Sequence, residues 1–244
     1  MNLLLVGTGR MGTMLRTLVE QEEDLTILAA FHRTNLSDLE RTAPPADVIV
    51  DFSAPDSLCA VAGYVRRTGT PLVSGTTGYL PQQMDLLRQL GNYAPVLHSA
   101  NFSIGIAVLR RLAAQAAEVL GDAFDIEIVE THHNQKADAP SGTAKLLLEA
   151  VDPGHTYSTV YGREGRSARR FPREIGVHAL RGGTVAGAHT VSFFGPQEEL
   201  HLSHRADNRS IFAAGALRAA RLLVSREPGF YALEDLLFPT PHQP

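Results

Sequence analysis

The segment Glu130-Thr131-His132-His133-Asn134-Gln135-Lys136-Ala137-Asp138-Ala139-Pro140-Ser141-Gly142-Thr143-Ala144-Lys145 sets two imidazoles and two ammonium groups beside a Ser-Gly-Thr turn. Few structural needs explain that mixture. His132, His133 and Lys136 can donate protons. Ser141, Gly142 and Thr143 stand just before a helix-forming run, Ala144 to Ala150, where backbone N–H groups are presented to an anion. The expected chemistry is proton donation to an acidic small molecule. No metal is expected, because no third ligand stands at zinc spacing and Cys59 is the only cysteine.

A second constellation opens the chain. Leu3-Leu4-Leu5-Val6 is a continuous apolar run, as in a strand buried on both faces. Gly7-Thr8-Gly9-Arg10-Met11-Gly12 follows, and a helix-like stretch then runs to about Glu23. Strand, glycine turn and helix in that order are the setting in which this spacing signals dinucleotide binding. Gly7 permits the tight turn, Gly9 lets a pyrophosphate approach the backbone, and Gly12 lets helix and strand pack closely. The fingerprint also expects an acid at the end of the second strand to hold the ribose hydroxyls of NAD, but the chain reads Ala29-Ala30-Phe31-His32-Arg33. His32 and Arg33 suit a 2′-phosphate, so NADPH is favoured, with NADH possible. Asp51-Phe52-Ser53 and Ser74-Gly75-Thr76-Thr77-Gly78 are further strand ends where a doubly wound sheet receives its ligand, and they outline a nicotinamide cleft.

Two supports are needed to hold these groups. Apolar strand candidates at 25–31, 48–52, 71–74 and 95–98 alternate with helix candidates at 57–67 and 81–90, which predicts an α/β, Rossmann-like, doubly wound parallel sheet. After Asn101 the texture changes. A long Ala-rich helix over 104–120 precedes runs that alternate as half-buried strands do, at 125–130, 176–181, 189–194 and 199–206. This predicts an α+β second domain with a mixed or antiparallel sheet. A last Ala-rich helix over 210–225 leads to the Pro-rich end Phe238-Pro239-Thr240-Pro241, expected to fray. The expected division is 1–102 with 210–244 as the dinucleotide-binding domain, and 103–209 as the substrate-binding, catalytic and oligomerisation domain.

Length and charge agree with that plan. A chain of 244 residues can bury two cores. A net charge of −4 with 20% charged residues gives no general basic field, which disfavours nucleic acid or a membrane surface as partner. The single cysteine suits a reducing compartment, and no apolar run approaches a signal segment or a membrane span, so a soluble cytoplasmic protein is expected. The loop 154–173 carries Arg163, Arg166, Arg169, Arg170 and Arg173, as a solvated mobile loop or as a cover that attracts a di-anionic ligand.

Taken together, these residues resemble the 4-hydroxy-tetrahydrodipicolinate (dihydrodipicolinate) reductase family of the diaminopimelate and lysine pathway. The resemblance spans nearly the whole chain. It rests on the Gly7 to Gly12 turn, Asp51-Phe52-Ser53, Ser74 to Gly78, Ser99-Ala100-Asn101-Phe102-Ser103 and above all Glu130 to Ala144. Arg181-Gly182-Gly183, His189, His204-Arg205-Ala206 and the run from Arg209 to Ala216 add to it. It implies an acid/base role for His132, proton donation by Lys136, and substrate contact from His133, Gly142 and Thr143. It further implies that Gly75, Thr76, Thr77, Ser99, Ala100, Asn101 and Phe102 line the nicotinamide, that Arg209 and Phe212 lie near the cofactor, and that the protein is a homotetramer acting on a small dicarboxylate. Many relatives carry Glu where this chain has His32, which strengthens the lean toward NADPH.

Two other readings compete. Another two-domain dehydrogenase, acting on aspartate or its semialdehyde, would share the glycine turn but not the segment from His132 to Thr143. A regulator that senses NADPH without turnover would have no use for Lys136 beside a carboxylate-binding turn.

Overall fold

The computed structural model describes residues 1–166 and 169–238. The Pro-rich end beyond Phe238 lies outside the described residues. In chain order the elements are β1 (Asn2–Val6), α1 (Arg10–Val19), β2 (Thr26–Phe31), α2 (Leu36–Arg41), β3 (Val48–Asp51), α3 (Leu58–Thr68), β4 (Leu72–Ser74), α4 (Pro81–Gln89), β5 (Pro95–His98), α5 (Ile104–Leu120), β6 (Asp125–His132), α6 (Gly142–Val151), β7 (Ser158–Val160), β8 (Glu174–Arg181), β9 (Gly187–Gly195), β10 (Glu198–Ala206), α7 (Ser210–Leu223), β11 (Gly229–Tyr231) and α8 (Leu233–Leu237). Packing divides the chain into two units, Met1–Ser103 with the segment from Ser210 onward, and Ile104–Arg209.

Helices cover the strands of the first unit, which therefore carry unbroken aliphatic runs: Leu3 to Val6 and Val48 to Val50 are all buried. All pairings in its six-stranded sheet are parallel, in the order β11-β5-β4-β3-β1-β2. The winding reverses at β1, which has β2 on one side and β3 on the other. The crevice at the carboxyl ends of β1 and β3 is where open sheets of this kind take ligands, and both the glycine turn and Asp51-Phe52-Ser53 sit there. The core joins Leu4, Val6 and Ile49 of the sheet to Leu58, Val61 and Val65 of α3. Gly69, at φ +69°, ends α3 by giving its N–H to Val65 O at 2.8 Å.

The sheet of the second unit is mixed, in the order β10-β9-β6-β8-β7, with β6 antiparallel to β9 and parallel to β8. Along β6, Ile126 and Ile128 join a core with Leu109 and Ala113 of α5, Leu147 of α6, and Val177, Val191 and Phe193. Glu127 instead bonds His178 at 2.8 Å and Arg163. That alternation is the period-two pattern seen in the sequence.

Several short elements escaped the sequence reading, namely α2, β7, β11 and α8, because segments of three to six residues are too short to display a period. α1 ends at Val19 rather than near Glu23, since the acids of Glu20-Gln21-Glu22-Glu23 oppose the negative end of a helix dipole. Arg163 and Arg170 of the arginine loop are paired with carboxylates rather than solvated. Arg163 meets Glu127 at 3.0 Å and Glu174 at 3.4 Å. Arg170 meets Asp125 at 2.8 Å and also Glu127, and Arg173 lies 5.0 Å over the Tyr157 ring. Glu127 lies roughly 17 Å from His132 along β6 at the usual strand rise.

Candidate active site

In the first unit the three glycines of the turn meet different demands. Gly7 has φ +96°, and a Cβ there would lie 2.3 Å from Phe52 O. A Cβ at Gly12 would lie 2.0 Å from Gly7 O. Gly9 is the contrast: nothing stands within 4 Å of a Cβ built on it, and as N-cap of α1 it makes no side-chain cap bond. Two glycines are therefore required by the chain itself, while the third leaves an open approach to the start of a helix, which fits a phosphate. Thr8, Arg10 and Met11 share this turn, with Thr8 and Arg10 exposed and Met11 half-buried.

Beside the turn, Asp51 gathers the neighbouring loops. Its carboxylate accepts from Ser53 N at 3.1 Å, Ser53 Oγ at 2.5 Å, Thr76 Oγ1 at 3.0 Å and Tyr79 OH at 3.2 Å. Burial raises its pKa against the pull of these donors. Gly75 is confined by the Phe52 ring, 2.1 Å from a Cβ at that position, whereas Thr77 is exposed. Ser99 gives its hydroxyl to Asn101 O at 2.7 Å, and the Phe102 ring packs 5.4 Å from Phe52. Ala100 is exposed and Phe212 of α7 half-buried. At the end of β2 the His32 ring meets Thr34 Oγ1 at 3.1 Å, and the backbone N–H of His32 gives to Asn35 Oδ1 at 2.7 Å; Arg33 beside it is exposed.

In the second unit the histidine segment begins on β6 and ends on α6, with the buried Glu130 between them. Arg181, at the end of β8, grips its carboxylate with both prongs, Nη1 to Oε2 and Nη2 to Oε1, each at 2.8 Å. Ser141 N gives to Oε1 at 2.9 Å, and His132 Nδ1 lies 2.6 Å from Oε2. Burial alone would raise the pKa of Glu130, but the bonds from Arg181, His132 and Ser141 outweigh it and hold the group below the usual carboxylate range. Ser141 caps α6 by accepting from Ala144 N at 3.2 Å, and its hydroxyl also lies 3.1 Å from His189 Nε2. Burial, aided by the nearby His132, pushes the pKa of His189 down to about 4, so this ring is neutral. It stands edge-on to His132 at 5.1 Å.

The loop between the histidines and the helix is also tied down. Gly182 N gives to His132 O at 2.9 Å, Asn134 N to Gly183 O at 3.2 Å, and Arg181 Nη2 to Asp138 O at 2.6 Å. Lys136 Nζ pairs with Asp138 Oδ1 at 2.7 Å and lowers that carboxyl's pKa. Arg209 Nη2 lies 3.5 Å from His133 Nε2.

These contacts correct one expectation. Ser141 was to offer its backbone N–H to an anion, and that N–H is already given to Glu130, an anion supplied by the chain. The exposed Gly142 and half-buried Thr143 follow it on α6. The reading of the residues also passed over Asp51, Glu130, Arg181 and His189 as organisers. Register was the signal that could have found the last two, since β6 sets Glu130 opposite His189 and His132 opposite Arg181. Among the described residues, no group of three or more His, Cys, Asp or Glu is placed to hold a metal ion, and no helix is long and apolar enough to cross a membrane.

Known proteins share this arrangement at the level of the whole chain. The family model described as dihydrodipicolinate reductase, N-terminus, matches residues 1–102, and that for the C-terminus matches 105–237. A 4-hydroxy-tetrahydrodipicolinate reductase of Nitratiruptor is 41% identical over 245 residues, covering 95% of this chain and 96% of the relative. One from Caldanaerobacter subterraneus is 38% identical over 238 residues, covering 94% of each. Among solved structures, a dipicolinate-bound dihydrodipicolinate reductase from Paenisporosarcina superposes with a TM-score of 0.76 at 22% identity, over 96% of this chain and 98% of that one. An engineered D-amino acid dehydrogenase bound to NADP+ shares the fold more distantly, at a TM-score of 0.56 and 15% identity over 98% of this chain and 96% of that one. With both family models matched end to end along the fold they describe, the chain belongs to the dihydrodipicolinate reductase family.

Proposed function

We propose that the protein converts 4-hydroxy-tetrahydrodipicolinate to tetrahydrodipicolinate in diaminopimelate and lysine biosynthesis, the 4-hydroxyl leaving as water and a hydride and a proton adding to the double bond so formed, in line with the reductase names of its relatives. The observation that carries this reading is the convergence of His132, the start of α6 and the Lys136 loop on one ion pair, the first two through Glu130 and the loop through Arg181. A bound reduced nicotinamide supplies the hydride. Lys136 donates the proton to the opposite end of the reduced bond, and His132 serves as acid/base at its outer ring nitrogen. His133, Gly142 and Thr143 hold the substrate, one carboxylate lying at the start of α6, where the dipole contributes roughly 0.3–1 kcal/mol. Ser141 shapes that site through its cap rather than through its N–H.

The first unit holds the cofactor in this reading. Gly7 to Gly12 cradle the pyrophosphate, with Gly9 at closest approach. His32 and Arg33 meet the 2′-phosphate of NADPH. Ser53, Gly75, Thr76, Thr77 and Ser99 to Phe102 line the nicotinamide, and Arg209 and Phe212 lie near it. The protein works in the cytoplasm as a homotetramer.

The test mixes enzyme and NADPH with the freshly formed condensation product of aspartate semialdehyde and pyruvate. Loss of the reduced-nicotinamide absorbance is expected, and its absence at saturating reactants would end the proposal. Paired titrations should give a lower KM for NADPH than for NADH. Arg33→Ala should narrow that gap by weakening NADPH alone, and His32→Glu should shift preference toward NADH. Equal KM values in the unmodified protein would show that no such discrimination is made, and an Arg33→Ala variant that lost both cofactors equally would place it elsewhere.

A further inference from the structure

We infer that Glu130 and Arg181 are a positioning pair that fixes the tautomer of His132 and registers its ring against the start of α6 and the Lys136 loop. An ionised carboxylate accepts about four hydrogen bonds. Glu130 makes four, two from Arg181, one from Ser141 N and one from His132. Because the two-pronged guanidinium keeps Glu130 ionised, the carboxylate has no proton to give, and the proton in the 2.6 Å contact belongs to His132 Nδ1. The neutral ring therefore presents its lone pair at Nε2, and any proton His132 takes or releases passes through that atom. Gly187 keeps it clear, since a Cβ there would come within 3.1 Å of Nε2.

The same pair sets distances as well as protonation. Glu130 reaches the N-cap of α6 through Ser141 N, and Arg181 reaches the backbone of Asp138, whose carboxylate holds Lys136. Proton donor, imidazole and anion-binding turn thus hang from one ion pair whose members come from β6 and β8. This assignment rests on the acid/base role proposed for His132, but the tautomer can be read without turnover.

The test is Glu130→Gln in the full chain, with ring-nitrogen NMR and kinetics on the same sample. An amide has one acceptor oxygen; Arg181 Nη2 and Ser141 N can only donate and keep it on their side, so the NH2 faces His132, the one partner able to accept. The unmodified protein should show His132 protonated at Nδ1, and the variant should lose that form. Turnover should fall about 10²–10⁴-fold, the scale seen when an orienting carboxylate is replaced by its amide, with little change in substrate KM. Arg181→Lys keeps the charge with a single prong. It should keep the tautomer and lose turnover by a smaller factor, and it serves alone if Glu130→Gln does not fold. A His132 ring still protonated at Nδ1 in folded Glu130→Gln, or unchanged turnover in either variant, would overturn the proposal. If His132→Ala kept its turnover while Glu130→Gln shifted the tautomer, the catalytic role of His132 would fail and the positioning role would stand.

Discussion

Asp51 and Glu130 are carboxylates buried at or near the ends of strands, one in each unit, and each gathers loops that carry candidate site residues. Their partners differ in kind. Asp51 is held by neutral donors from Ser53, Thr76 and Tyr79, and burial raises its pKa. Glu130 is held by Arg181 together with His132 and a backbone N–H, and its pKa is lowered. The same residue chemistry therefore builds a carboxylate held by neutral donors in the first unit and one held by a cation in the second. Burial alone does not decide which of the two a carboxylate becomes; the charge of its donors does.

The contrast can be broken most sharply at Lys136, the proposed proton donor. Lys136→Ala should lower turnover about 10²–10⁴-fold with a modest change in substrate KM, because a proton donor acts chiefly in the transition state. Near-normal turnover at saturating substrate would remove charge transfer from the second unit's side of the comparison.

Denaturant unfolding tests the two carboxylates directly. Glu130→Gln leaves the half-buried Arg181 facing an amide and should destabilise by about 2–3 kcal/mol, less than the loss of a fully buried ion pair. Asp51→Asn faces hydroxyls that can turn and accept, so about 1 kcal/mol is expected. A reversed order would mean that donor charge is not what separates the sites.

The glycine turn sharpens the first unit's half. Gly7→Ala combines a positive φ with a backbone overlap and should destabilise by about 2–4 kcal/mol. Gly9→Ala meets only open space within the chain and should leave stability within about 0.5 kcal/mol while raising the cofactor Kd. A cofactor affinity untouched by Gly9→Ala would argue against a ligand at that turn.

A further expected effect is a pH dependence. His189 titrates near 6.5 when unfolded and at about 4 when folded. The unfolded chain therefore binds the extra proton between those values, and stability that is complete above about pH 6.5 falls as pH drops toward 4, by on the order of 2–3 kcal/mol. His189→Gln should flatten that window. Glu130, lowered from the carboxylate range, loses its contribution only at more acidic pH, so the two are separable. An equally steep loss in the variant would assign it to another group.

How much of this was legible in the sequence follows from the range of each interaction. The turn at Gly7 to Gly12 was readable because its glycines stand within a few positions of one another: a positive φ at Gly7 and the approach of Gly12 to Gly7 are both written there as residue type. The parallel and mixed sheets were readable from continuous against alternating apolar runs. The histidine segment announced itself by residue type. Its supports did not, because Arg181 and His189 reach Glu130 only through the pairing of β8 and β9 with β6, and register across long separations leaves no local pattern. Asp51 stood in a motif that was noticed, yet its partners Thr76 and Tyr79 come from another loop, so its organising part was missed.

The discontinuity of the first unit has a consequence for how the protein is made. The strand that borders β5, and the helix that packs on α1 and on β3 to β5, are both supplied by residues after Ser210. Gly215 of that helix comes so close to Phe102 that a Cβ there would lie 1.8 Å from its carbonyl oxygen. During synthesis the ribosome therefore releases an unfinished dinucleotide fold, extrudes the entire second unit, and only then delivers the segment that completes the first. A chain cut after Arg209 would keep the strands of the second unit but leave the first with an open apolar face.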